Sequence, residues 1–134
     1  MSMQKKYSID FLRSLVIYGI GGLSDPFYQK RIWVEGKGPE VDSYDDAITY
    51  FSDMCELIFE APSDYEGING ENLELLKTLY QMVMDYDRNL HVARTPEDVS
   101  CILEDPKWHK IQVFARDVFQ TFQKVIERTH NGKS

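Results

Sequence analysis

The chain has 134 residues, 43% of them apolar, with 7 Phe, 8 Tyr and 2 Trp and a formal net charge of −7. That length suits one domain and that apolar content can fill a core, which excludes a disordered chain. The acidic balance excludes a general nucleic-acid binder, which needs a basic footprint to displace counterions from phosphate.

Helical periodicity runs through the sequence. Residues 1–7 read as a frayed end. The spacing predicts a first helix from Ser8, an N-cap with Asp10 in the first turn. Phe11, Leu12, Leu15, Val16 and Tyr18 or Gly19 form its apolar stripe, and Gly21-Gly22 is expected to end it. A second helix starts at Asp25-Pro26, where aspartate caps and proline needs no N–H, and runs through Tyr28, Gln29, Ile32 and Trp33. Glu35-Gly-Lys-Gly-Pro39 breaks it.

Ser43-Tyr-Asp-Asp46 resembles a capping box with a shorter acid and opens a third helix to about Glu60, with Ile48, Phe51, Cys55, Ile58 and Phe59 for burial. Residues 62–70 read as a loop. Asn69-Gly70 leads into a fourth helix carrying Leu73, Leu76, Leu79, Tyr80, Val83 and Met84 at helical spacing. Periodicity lapses over 87–94. Thr95-Pro-Glu-Asp98 starts a short fifth helix through Leu103, and Asp105-Pro106 repeats the signature. The last helix shows one apolar face, Trp108, Ile111, Phe114, Ala115, Val118, Phe122, Val125 and Ile126, closed by Asn131-Gly132. Residues 130–134 read as a second frayed end. Three cap-proline starts and no alternating strand predict an all-α fold, a compact array of about five to six helices in a single domain over residues 1–134.

No stretch is long and apolar enough to span a bilayer, and the N-terminal residues lack a signal peptide's apolar core, so a cytoplasmic address without membrane contact is expected. Cys55 and Cys101 stand far apart among apolar neighbours and read as buried thiols in a reducing compartment.

The charge is unevenly placed. From Glu35 to Leu76 there are twelve acids and one base, Lys37, a net of −11, and the rest of the chain carries +4. Asp53, Glu56 and Glu60 sit at i, i+3 and i+7 and so share one face of the third helix. With no basic partner in that helix they form either a solvated face or a docking surface. Tyr44, Tyr50 and Tyr65 are interleaved with these acids, and tyrosine offers rigid contact area at low entropic cost. Acids with tyrosines suit a strongly basic partner, because complementary charge speeds association and desolvated pairs add affinity. A nuclease is such a partner, since its own substrate is a polyanion.

Catalytic signals are sparse. Gly19-Ile-Gly-Gly22 faintly echoes a phosphate loop, but it follows a helix rather than a strand and reads as a helix end. Glu127-Arg-Thr-His130 has di-iron ligand spacing, yet such sites need a second copy and further carboxylates, and no second copy exists. His91 and His109 have no evident partner. No catalytic residue, metal site or cofactor is therefore expected.

Asp25-Pro-Phe-Tyr-Gln-Lys-Arg31, Trp33-Val34, Pro39-Glu40 and Tyr44-Asp45-Asp46 together resemble the pattern of a loosely defined family of small helical bacterial proteins. Some of its members are similar to immunity proteins of contact-dependent growth inhibition and related polymorphic-toxin systems. The match covers residues 25–60. The resemblance implies a cytoplasmic immunity protein that binds one cognate toxin domain and blocks it. The shared residues could equally be structural, with Arg31 or Lys30 pairing Asp45 or Asp46, and Trp33 reads as core. The expectation is a non-enzymatic immunity protein for a toxin effector, a basic nuclease. Its expected contacts are Asp42, Tyr44, Asp53, Glu56, Glu60, Asp64, Tyr65 and Glu66. A regulatory or adaptor domain binding another cellular protein is the alternative, and an enzyme with raised-pKa carboxylates in a concave pocket is a third reading.

Overall fold

The computed structural model describes residues 5–90 and 95–131. Among these residues it is an all-α domain of six helices. Helix α1 is continuous through three segments, Ile9–Ser14, a wide π-helical stretch Leu15–Ile20, and Gly21–Ser24. Helix α2 joins Pro26–Tyr28 to a second π-helical stretch, Gln29–Val34. Helices α3 (Tyr44–Glu60), α4 (Gly70–Arg88), α5 (Pro96–Glu104) and α6 (Pro106–Asn131) follow, with a single 3₁₀ turn at Pro62–Asp64.

The helix starts follow the capping logic of the sequence. Asp25 Oδ1 accepts from the Phe27 and Tyr28 amides at 3.0 and 3.1 Å. Ser43 Oγ accepts from the Asp46 amide at 3.1 Å. Reciprocal capping boxes open α4, between Asn69 and Asn72, and α5, between Thr95 and Asp98. Each such cap satisfies amides that have no partner inside the helix.

Gly21-Gly22 does not end the first helix. Gly21 keeps right-handed helical torsions and the chain turns only after Ser24. Gly19 and Gly21 serve close packing. A Cβ on Gly19 would meet Leu15 at 3.1 Å and the Tyr50 ring at 3.5 Å, and one on Gly21 would meet the Phe119 ring at 3.3 Å. Rings from α3 and α6 thus rest against the α1 backbone, and burial against two helices carries α1 past its glycines.

The carbonyls left over at the end of α1 are taken by side chains. Gln29 is fully buried, and its Nε2 donates to the Gly22 and Leu23 carbonyls at 2.9 and 2.8 Å. Its Oε1 accepts from Trp108 Nε1 at 3.0 Å and Gln112 Nε2 at 2.7 Å. One amide therefore binds the end of α1 to α6 with both donors and both acceptor sites used, which makes a polar group tolerable in the core.

Around it lie Leu12, Leu15, Val16, Ile20 and Leu23 of α1, Phe51, Cys55 and Ile58 of α3, Leu76, Leu79 and Val83 of α4, and Trp108, Ala115, Val118 and Phe122 of α6, all essentially inaccessible. Helix α3 packs on α1 and α4, and α6 packs on α1, α4 and α5. Of the ends expected to fray, residues 1–4 and 132–134 lie outside the described residues, while Tyr7 is held in place. The Tyr7 amide donates to the Asp64 carbonyl at 2.9 Å, the Tyr7 carbonyl accepts from the Glu66 amide at 3.0 Å, and its ring stacks on Tyr65 at 4.6 Å. Among the described residues no helix is long and apolar enough to cross a membrane. Both cysteines are free. Cys55 is buried, but Cys101 is exposed, contrary to its apolar sequence neighbourhood, because it lies on the outer side of the short helix α5.

Candidate functional site

Helix α3 contains no basic residue. Its buried side carries Tyr44, Ala47, Ile48, Phe51, Ser52, Cys55 and Ile58, so helical phase turns Asp45, Asp46, Thr49, Tyr50, Asp53, Glu56, Leu57 and Glu60 outward, and all eight are exposed. Five of the eight are acids. Tyr50 and Leu57, seven residues apart, form the edge next to α1. Asp46, Asp53 and Glu60 run parallel to them, and Glu56 lies toward α4, where its Oε2 accepts from the Tyr80 hydroxyl at 2.8 Å. Among the described residues, no lysine or arginine forms an ion pair with Asp46, Asp53 or Glu60.

The exposed charge of α6 has the opposite sign. Lys107, Lys110, Arg116, Lys124 and Arg128 face solvent there with Asp117 and Glu127. The segregation of charge seen along the sequence is therefore also a segregation between helices, negative on α3 and positive on α6.

The expected contacts divide into three groups. Asp53, Glu56 and Glu60 lie together on the open face of α3. Asp64 and Glu66 are half-buried in the connection after α3, beside the Tyr7 bridge. Asp42, Tyr44 and Tyr65 belong to the framework. Asp42 is half-buried, and its Oδ2 accepts from the Tyr28 hydroxyl at 2.9 Å and from Trp33 Nε1 at 3.0 Å. Tyr44 is buried on the inner side of α3, edge-on to Trp33 and Trp108, with its hydroxyl donating to Asp87 at 3.0 Å. Tyr65 is buried under Tyr7 and Phe11. Tyr44 and Tyr65 are thus corrected from surface contacts to core rings. Alternation with acids marked them as surface, but helical phase and the Tyr7 bridge turn them inward. Asp45, Asp46 and Leu57 were missed as surface candidates, although stepping back seven residues from Asp53 reaches Asp46.

Several residues of the pattern noted in the sequence have structural work. Asp25 caps α2, Gln29 holds α1 to α6, and Trp33 is buried with its indole bonded to Asp42. Arg31 pairs with Glu40 rather than with Asp45 or Asp46. Its guanidinium spans both carboxylate oxygens at 2.6 and 3.3 Å and also donates to the Lys37 carbonyl at 3.0 Å. That fork closes the turn after α2, where Gly38 has φ +135 and a Cβ would collide with the guanidinium. Arg31 holds the Glu40 carboxyl below its ordinary pKa, first by the hydrogen bond between them.

The remaining polar groups give weaker leads. The Tyr28 and Tyr86 phenols are pushed well above their ordinary range, by burial first and then by hydrogen bonds to Asp42 and Asp105. His109 is exposed and shares a hydrogen bond with Gln112 at 3.2 Å. His91 and the His130 side chain, and with it the Glu127–His130 pairing, lie outside the described residues. Among the described residues no cluster of histidine, cysteine and acids could hold a metal ion.

One open groove lies between α1, α2 and α6. It has a volume of about 580 Å³, with Gly21 and Gly22 in its lining beside Ile17, Tyr18, Tyr28 and Phe119, and with Ser24, Asp25, Glu40, Arg116 and Gln120 among its polar residues. Compared with known protein families, curated proteins and solved structures, the chain gives no match.

Proposed function

We propose that this chain is an immunity protein that binds a cognate bacterial toxin domain, a basic nuclease, and neutralises it by steric and electrostatic occlusion through the outer face of α3. The observation that carries this reading is the row of exposed carboxylates on a helix with no basic residue. Like charges at helical spacing repel one another, so the row costs stability in the free protein. A cationic partner offsets that repulsion on docking and gains attraction from every carboxylate it covers. The similarity of residues 25–60 to an immunity-related pattern supplies the kind of partner. Asp25, Gln29, Arg31 and Trp33 of the pattern brace the fold, so partner choice falls to the exposed positions of α3, Asp46 of the pattern among them.

The test is co-expression with the product of the neighbouring gene, with cell survival as the readout and affinity measured on the purified pair. Asp46, Asp53 and Glu60 are the residues to reverse to lysine. Glu56 is left in place because Tyr80 leans on it. Loss of protection and a drop in affinity of well over tenfold are expected, with the circular dichroism spectrum unchanged. Full protection by the triple variant would remove α3 from the mechanism.

A further inference from the structure

The acidic face does not stop at the edge of its own helix. Tyr50 lies against α1 at Gly19, and the next residue back along α1, Tyr18, is 72% exposed. Tyr18 also borders the groove between α1, α2 and α6, so one unburied ring lies on the rim of that cavity, next in the chain to the point where Tyr50 of α3 meets α1. Ile17, 47% exposed, continues the apolar rim. An aliphatic and an aromatic side chain left open beside a cavity form a contact area that the fold itself does not use.

We propose that a basic partner docked on the α3 acids inserts an aromatic side chain with a polar tip, tyrosine or tryptophan, into this groove. The basic character of the partner rests on the immunity reading above. The aromatic anchor rests on the cavity. Its volume of about 580 Å³ lies in the range of preformed binding sites. Ile17 and Phe119 supply apolar walls, and the absence of a side chain on Gly22 leaves room for a flat ring. Arg116 and Gln120 meet the polar end. The charges around the groove are mixed. Arg116 opposes Asp25 and Glu40, Glu40 is already held by Arg31, and Asp25 is engaged as a helix cap. This balance favours a neutral ring over a lysine, while the α3 carboxylates receive the partner's cations. A buried aromatic anchor bordered by charge is the usual anatomy of a tight interface.

The test uses two probes on the isotope-labelled protein, followed by its amide NMR spectrum. N-acetyl-tryptophanamide reads the groove and trilysine reads the acidic face. The aromatic probe should shift Gly21, Gly22, Phe119 and Gln120 saturably. Gly22→Leu fills the groove and should abolish those shifts. A Cβ at this position meets only the Tyr28 ring, at 3.6 Å, an ordinary van der Waals contact, and an unchanged amide spectrum away from the groove checks that the variant folds. Tyr18→Ala removes one wall at an exposed site and should weaken them. Trilysine should shift Asp46, Asp53 and Glu60 in all three proteins. If the aromatic probe leaves the groove amides unmoved, or moves them equally in Gly22→Leu, the anchor proposal is overturned while the acidic face stands. If trilysine fails where the aromatic probe succeeds, the groove survives as a ring-binding site and the basic partner falls.

Discussion

Trp108 donates its indole N–H to the side-chain oxygen of Gln29, 79 residues earlier in the chain, at 3.0 Å and out of reach of solvent. The same glutamine also receives Gln112 and caps two carbonyls of α1, so four hydrogen bonds meet on one buried amide.

Gln29→Leu keeps the approximate volume but strands two donors and two carbonyls. Each unsatisfied buried group costs about 1–3 kcal/mol, partly relieved by relaxation, so a loss of at least about 3 kcal/mol is expected. Urea denaturation should show a lower midpoint with an unchanged slope. A shift under about 1 kcal/mol would mean that the network adds little to stability.

The turn after α2 offers a paired test. At Gly38, φ is +135 and the Arg31 guanidinium occupies the space a side chain needs. At Gly36, φ is +64 with nothing nearby. Gly38→Ala should therefore destabilise by about 2–3 kcal/mol and Gly36→Ala by about 1 kcal/mol. Thermal unfolding of both variants ranks them, and the reverse order would contradict the Arg31–Glu40 closure.

Acid should weaken the fold through Asp105 and Glu40. The Lys107 amide and the Tyr86 hydroxyl hold the Asp105 carboxyl below its ordinary pKa, and Arg31 does the same for Glu40. A depressed carboxylate contributes stability that is present above its unfolded value, about 4, and lost as pH falls through the lower folded value. Tyr86→Phe removes one donor to Asp105. Its deficit relative to the parent protein should therefore shrink as pH falls below about 4. A deficit that stays constant across this range would assign the effect of Tyr86 to packing alone.

The two thiols should separate cleanly. Cys101 is exposed, whereas Cys55 is buried among Phe51, Ile58 and their neighbours, with its pKa raised chiefly by that burial. A thiol reagent should modify Cys101 promptly in the native protein and Cys55 only on unfolding, as the thiolate is the reactive form. Rapid reaction of both would show that α3 opens readily.

Tyr44→Phe should lower stability, through loss of the bond to Asp87, without changing affinity for the proposed partner. Asp53→Lys should do the opposite. Chemical denaturation and titration calorimetry on the same two proteins compare them. A Tyr44→Phe variant that is fully stable but weak in binding would return Tyr44 to the contact surface.

The helical class and the starts of the helices could be read from the chain itself, because they are local. An Asp25-Pro26 or Thr95-Pro96 start is settled by hydrogen bonds within three residues, and the apolar face of α6 by a period of 3.6. The excess of acids between 35 and 76 was equally visible. Which of those acids are available was not. Asp42 and Asp53 look alike in sequence, yet one is engaged by Tyr28 and Trp33 and the other faces water. Gly21 and Gly22 resembled a helix end, and only the Phe119 ring against α1 and the reach of Gln29 show why the helix continues. Propensity and periodicity act over one or two turns, whereas burial of a tyrosine, the partner of an arginine or the floor of a groove depends on chain segments brought together from dozens of residues away, and that was decided by the packing of the helices.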